Sequence, residues 1–239
     1  MDKQHEHIVR SYEEELSLLN NKIAKMGGLT EQVLGQSFDA LERRDPELAA
    51  ATINEDEAID TLEKEIEEQA VVMIARRQPL AYDLRQIMAA LRISNELERI
   101  GDLGKNIAKR VVAVTEGRQP PSLFRGLQAL AELALTQLKE VLDVYASRSV
   151  DRISVVRDRD EEIDAMYTSL FRELLTYMME DPRNITPCTH LLFCAKNIER
   201  IGDHATNIAE TIYYMSTGEQ PAGERPKDDN TASVVQPAE

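Results

Sequence analysis

The sequence predicts an all-α fold: two tandem, pseudo-symmetric antiparallel three-helix bundles, six helices in all. Three observations carry that expectation. Aromatic residues make up only 5% of the chain and tryptophan is absent, while the helix-favouring Ala, Leu, Glu and Arg dominate. A segment recurs, since ERIGDLGKNIAKRV, Glu98 to Val111, returns as ERIGDHATNIAETI, Glu199 to Ile212, at an offset of 101. Within both copies apolar residues alternate three and four positions apart, the seam of a helical bundle.

Taken in chain order, the first helix is expected over 6–43, with Gly27-Gly28 as a place for it to bend. The second covers 46–76 and ends at Arg76-Arg77-Gln78-Pro79, because the residue before proline leaves the helical region. The third runs over 80–116 and carries the seam Ala90, Ile93, Leu97, Ile100, Gly104, Ile107 and Val111. Gln119-Pro120-Pro121-Ser122 then separates the halves. The fourth helix, 122–148, repeats the first at an offset of 104, pairing Leu34 with Leu138, Phe38 with Leu142 and Leu41 with Tyr145. The fifth, 150–180, repeats the second and stops at Glu180-Asp181-Pro182. The sixth, 184–216, repeats the seam as Leu191, Cys194, Ile198, Ile201, Ala205, Ile208 and Ile212. Short links make successive helices antiparallel. The expected division is 1–118 for the first repeat, 119–216 for the second, and 217–239 for a tail rich in Pro, Gly and acids, which predicts disorder.

The net charge of −15 repels nucleic acid and anionic membrane surfaces, and no basic block offsets it. Cations or proteins are the expected partners. Cys188 and Cys194, six apart, lack the spacing of a zinc or redox pair and are expected to be small buried residues. No signal peptide and no apolar run of about 18 residues appears. The expected location is therefore the cytoplasm, with no membrane insertion.

The carboxylates need an explanation. Glu98 and Asp102 stand i and i+4, on one face of a helix, and Glu199 and Asp203 repeat them. Asp56 and Asp60, then Asp160 and Asp164, share that spacing. In an antiparallel hairpin, residues equidistant from the turn lie side by side. Asp60 with Glu98, and Asp56 with Asp102, are both centred on Pro79; the second-half pairs centre between Asp181 and Pro182. Each hairpin thus gathers four carboxylates that repel one another unless a cation intervenes. Arg99, Arg200, Lys105 and Lys64 are candidates from within the chain. The alternative is a bound hard cation such as magnesium, manganese, calcium or ferric iron. Gly101 and Gly202 sit inside these helices, where glycine costs about 1 kcal/mol relative to alanine; room between carboxylates and close helix packing are both adequate reasons. Asn106 and Asn207 extend the same face by another i+4 step.

ERIGDxxxNIA twice, each preceded by DExID, resembles the PhoU family of phosphate-uptake regulators over about residues 6–216. The resemblance implies a cytoplasmic homodimer that represses the phosphate-starvation response, linking the high-affinity phosphate ABC transporter, its ATPase and permease, to a sensor histidine kinase. It also implies a divalent or ferric ion (iron, magnesium, manganese or zinc) on E(D)xxxD motifs, which fall here on Asp56, Asp60, Glu98, Asp102, Asp160, Asp164, Glu199 and Asp203. No enzyme activity is expected. A ferritin-like di-iron oxidase is the competing catalytic class, but it uses Glu-x-x-His, and none of His5, His7, His190 and His204 stands three residues after a Glu. No Gly-rich phosphate loop or nucleophile elbow is present either. A metal-free adaptor whose acids meet a basic partner is the third reading.

Overall fold

A computed structural model describes residues 2–115 and 121–221. Seven α-helices appear among them: α1 (Asp2–Arg43), α2 (Pro46–Glu55), α3 (Glu57–Arg77), α4 (Ala81–Thr115), α5 (Pro121–Ser147), α6 (Ile153–Glu180) and α7 (Ile185–Thr217). Short 3-10 turns, Val150–Arg152 and Pro182–Asn184, lead into α6 and α7. No described residue is in a strand. The all-α expectation and its six rods hold, with one difference. The second rod is interrupted at Asp56, whose backbone stays right-handed (φ −60°, ψ −30°) while the helix ladder breaks. In the second half α6 runs unbroken through the matching Asp160.

Local chemistry explains the ends. Asp45 caps α2 by accepting from the amides of Glu47 and Leu48, with Pro46 at the first helical position. Gln78 ends α3 in the left-handed region, and Gly218 does the same for α7 at φ +80°. Arg44 and Arg148, which share the repeat offset, hold left-handed backbone at φ 54° and 56°. Each lays its guanidinium over a ring, Arg44 on Phe124 at 4.5 Å and Arg148 on Tyr145 at 4.7 Å. Those contacts offset a backbone cost of roughly 1–2 kcal/mol for a residue with a Cβ.

Within the first half α3 runs antiparallel to α1 and α4, with Arg77 on Glu15, Lys22 on Glu65, and Asn95 on Glu63. Between the halves α4 and α7 form the most extensive helix pair, antiparallel, with Glu96 against His204 and Arg110 against His190. Helices α1 and α5 pair the same way, Asn20 to Tyr145 and Glu31 to Lys139. All fourteen seam positions are buried, forming a core shared by both halves. Gly27 does not interrupt α1: a Cβ there meets Leu142 Cδ2 at 2.5 Å, so its absence admits a side chain of α5. The tail expected over 217–239 lies, beyond Pro221, outside the described residues.

Candidate functional site

Because α4 and α7 are antiparallel, the two ERIGD copies lie at one level, back to back. In the first half α4 presents Glu98 and Asp102 toward α3 and the break before it. Asp56 is 1% exposed, and its Oδ2 accepts from Lys105 Nζ, which also lies 3.3 Å from Asp102 Oδ1. Asp56 Oδ1 has no hydrogen-bond partner. Burial raises the Asp56 carboxyl above its ordinary range, Lys105 opposes this, and Asp60 and Asp102 add to it. Burial likewise raises half-buried Glu98, reinforced by Asp102, Glu63, Asp60 and Asp56. Asp60 and Asp102 thus both bear on Asp56 and on Glu98. Of the four cations named from the sequence, Lys105 takes the neutralising position, while Arg99 bonds to Asn95.

The second half solves the same problem with different residues. Asp160, Asp164 and Glu199 are each 4% exposed, and Asp203 is half-buried. Glu199 Oε1 accepts from Lys196 Nζ at 2.8 Å, and its Oε2 is buried without a partner. Burial raises the Glu199 carboxyl, with Lys196 opposing and Asp203 and Asp164 reinforcing. The repeat replaces Lys105 by Thr206, whose hydroxyl accepts from Gln137 Nε2 at 3.1 Å. Gln137 is fully buried, also donates to the Val156 carbonyl at 3.0 Å, and leaves its Oε1 unpartnered.

The glycines now have a reason. A Cβ on Gly101 meets Ile59 Cδ1 at 2.9 Å and Asp56 Oδ1 at 3.1 Å. A Cβ on Gly202 meets Asp160 Oδ1 and Gln137 Oε1, each at 3.1 Å, and Ile163 Cδ1 at 3.2 Å. Each glycine thus serves both ends at once, close helix packing and room for the buried aspartate. Lys196 and Gln137 escaped the sequence analysis: neither stands at a motif position, and Gln137 comes from a helix without carboxylates of the pattern. Asn207 and His204 belong to a separate contact, both reaching Glu96 Oε2, at 3.1 and 2.6 Å, and the two hydrogen bonds outweigh burial to hold the Glu96 carboxyl low.

The donor chemistry fits a hard cation, since buried carboxylate oxygens on Asp56 and Glu199 lack a donor. The side-chain arrangement does not complete a ligand set: among the described residues no three His, Cys, Asp or Glu groups surround a point suited to an ion. Lys105 and Lys196 stand where part of that charge is needed.

Comparison with known proteins finds relatives of the whole chain. The PhoU domain model matches residues 23–111 and again 127–212. A phosphate-specific transport system accessory protein PhoU homolog of Rhizobium meliloti is 65% identical over 96% of this chain and 97% of its own. Its counterpart in Caulobacter vibrioides is 51% identical over 94% and 97%. The crystal structure of PhoU from Pseudomonas aeruginosa superposes with a TM-score of 0.84 at 35% identity, covering 87% of this chain and all of that one.

Proposed function

The chain belongs to the PhoU family, and on that premise we propose that it is a non-enzymatic accessory of phosphate uptake that represses the phosphate-starvation response. In this proposal it acts as a cytoplasmic homodimer, coupling the high-affinity phosphate ABC transporter to its sensor histidine kinase. Docking rather than insertion is consistent with the helices, none of which, among the described residues, is long and apolar enough to cross a membrane.

The observation that carries the site assignment is the doubled carboxylate cluster at one level of the fold, with donorless buried oxygens on Asp56 and Glu199. We propose that a divalent or ferric ion sits on Asp56, Asp60, Glu98 and Asp102 in one half and on Asp160, Asp164, Glu199 and Asp203 in the other. The ion would supply positive charge that lets the acids stay ionised while buried. Lys105 and Lys196 favour a second reading, in which the acids are neutralised internally and the exposed ones, Asp102 foremost, meet a basic partner.

The test is elemental analysis of protein purified without metal-affinity resin, beside a variant carrying Glu98→Gln, Asp102→Asn, Glu199→Gln and Asp203→Asn. Stoichiometric metal that disappears in the variant supports the ion; its absence from both proteins supports the docking face. A phosphate-starvation reporter in a strain lacking the gene tests the regulatory role. Restoration of repression by the wild-type chain is expected, and a reporter indifferent to the chain overturns the role.

A further inference from the structure

One end of the groove between α4 and α7 holds a cavity of about 430 Å³ lined by Asn106, Lys109, Arg110, Ala113, His190 and Asn197. We propose that it binds a small phosphate-bearing anion, a phosphorylated metabolite in preference to free orthophosphate. This site is separate from the carboxylate clusters and rests on neither the ion nor the docking reading of them.

The charge is concentrated. The chain carries 43 acidic and 28 basic residues, yet no acid occurs at positions 103–115 or 185–198, the two helix segments that face each other here. Both cations, Lys109 and Arg110, are neighbours on α4, while α7 adds His190 and Asn197 to the lining. Among the described residues no carboxylate partner of Lys109 or Arg110 is found.

The donors are also positioned. The Arg110 guanidinium lies 4.2 Å from the Phe193 ring centroid, and its Nη1 is 3.4 Å from His190 Nδ1. Stacking on an aromatic face orients the guanidinium and leaves its edge donors for an oxyanion, whose geometry the fork matches two bonds at a time. Lys109 supplies a point charge, and the amides of Asn106 and Asn197 add hydrogen-bond donors. A cavity of this size belongs to the range that takes small organic ligands rather than a lone tetrahedral ion.

The repeat supplies an internal control. The offset of 101 carries Asn106, Lys109, Arg110, His190 and Asn197 onto Asn207, Glu210, Thr211, Ala89 and Glu96. At that other end of the groove Glu96 accepts from Asn207 and pairs with His204, a network closed within the protein. The fold therefore does not require a cationic cavity between these helices. One end of the groove is closed with a carboxylate, and the other is left open and positive.

The full-length protein at low ionic strength is titrated with sodium orthophosphate, with ADP, and with succinate as a dianion lacking phosphorus, read by calorimetry and by histidine-ring NMR shifts. Saturation by ADP or orthophosphate with Kd below about 1 mM, at least tenfold tighter than succinate, is expected. A Lys109→Gln/Arg110→Gln variant should weaken it at least tenfold, and Asn106→Asp, a single exposed change, should do likewise. Lys139→Gln, whose lysine pairs with Glu31 on the exposed surface, should leave it unchanged. Tighter ADP assigns a phosphorylated metabolite; saturation by orthophosphate alone assigns the free ion, retaining the site and overturning the preference. No saturation by either phosphate, succinate binding as tightly, or indifference to both variants overturns the site itself.

Discussion

The two halves repeat one order of helices, broken at Asp56 in the first and unbroken at Asp160 in the second, and one set of four carboxylates, but they stabilise the buried charge differently. In the first half Lys105 reaches across from α4 to Asp56 and Asp102. In the second, Thr206 stands in its place, an amide from α5 enters, and the lysine moves to position 196 beside Glu199. Beside the carboxylates the apolar packing is the same in both copies, Ile59 and Ile163 filling matching space under Gly101 and Gly202. A charge can be met from several directions, so the polar solution has diverged where this packing has not.

The largest effects test the shared scaffold. Ile59→Ala and Ile163→Ala, both at fully buried positions, should each cost about 2–5 kcal/mol by urea unfolding. Costs that differ severalfold between them would break the structural equivalence of the halves. Next comes the lysine. Lys105→Met leaves buried Asp56 without its ion-pair partner and should cost about 1–3 kcal/mol. Adding Asp56→Asn should recover most of that loss, and a double-mutant cycle without coupling would show that the pair contributes nothing. At the matching position Thr206→Val removes an acceptor for Gln137 and should cost about 1 kcal/mol. A loss as large as that of Lys105→Met would erase the contrast.

The smallest effect is a pH dependence. The carboxyls of Asp56, Glu98 and Glu199 are raised in the folded chain. Folding therefore takes up protons between their ordinary range, near 4, and the raised values. Each contributes more stability as pH falls from 7 through that window and no further change below it. Asp56→Asn should gain stability relative to wild type at pH 7 and lose that advantage as the solution is acidified. The advantage growing on acidification would reverse the sign assigned to burial. Saturating metal, if it binds these acids, should flatten the profile.

Much of this arrangement was legible before any coordinates. Identical residues at a fixed offset gave the two halves, and the prolines at 79 and 182 placed the carboxylates of each hairpin opposite one another. The break at Asp56 was not legible, because its backbone angles remain helical and no proline or glycine marks it. Lys105 appeared as one of four cations, since spacing gives the face of a helix but not which long side chain bends to which acid. Gln137 and the α4–α7 cavity depend on packing between elements far apart in sequence. A local pattern carries no trace of them.

The antiparallel pairing of α1 with α5 and of α4 with α7 also bears on how the chain is made. Tyr145 and Leu142, which meet Asn20 and Gly27, leave the ribosome more than a hundred residues after their partners. At about 5–20 residues per second, the apolar flank of the first bundle waits roughly 5–20 s for its cover. A nascent chain halted after residue 118 presents that flank to chaperones and to other nascent copies, so the second repeat serves as the partner that ends this exposure.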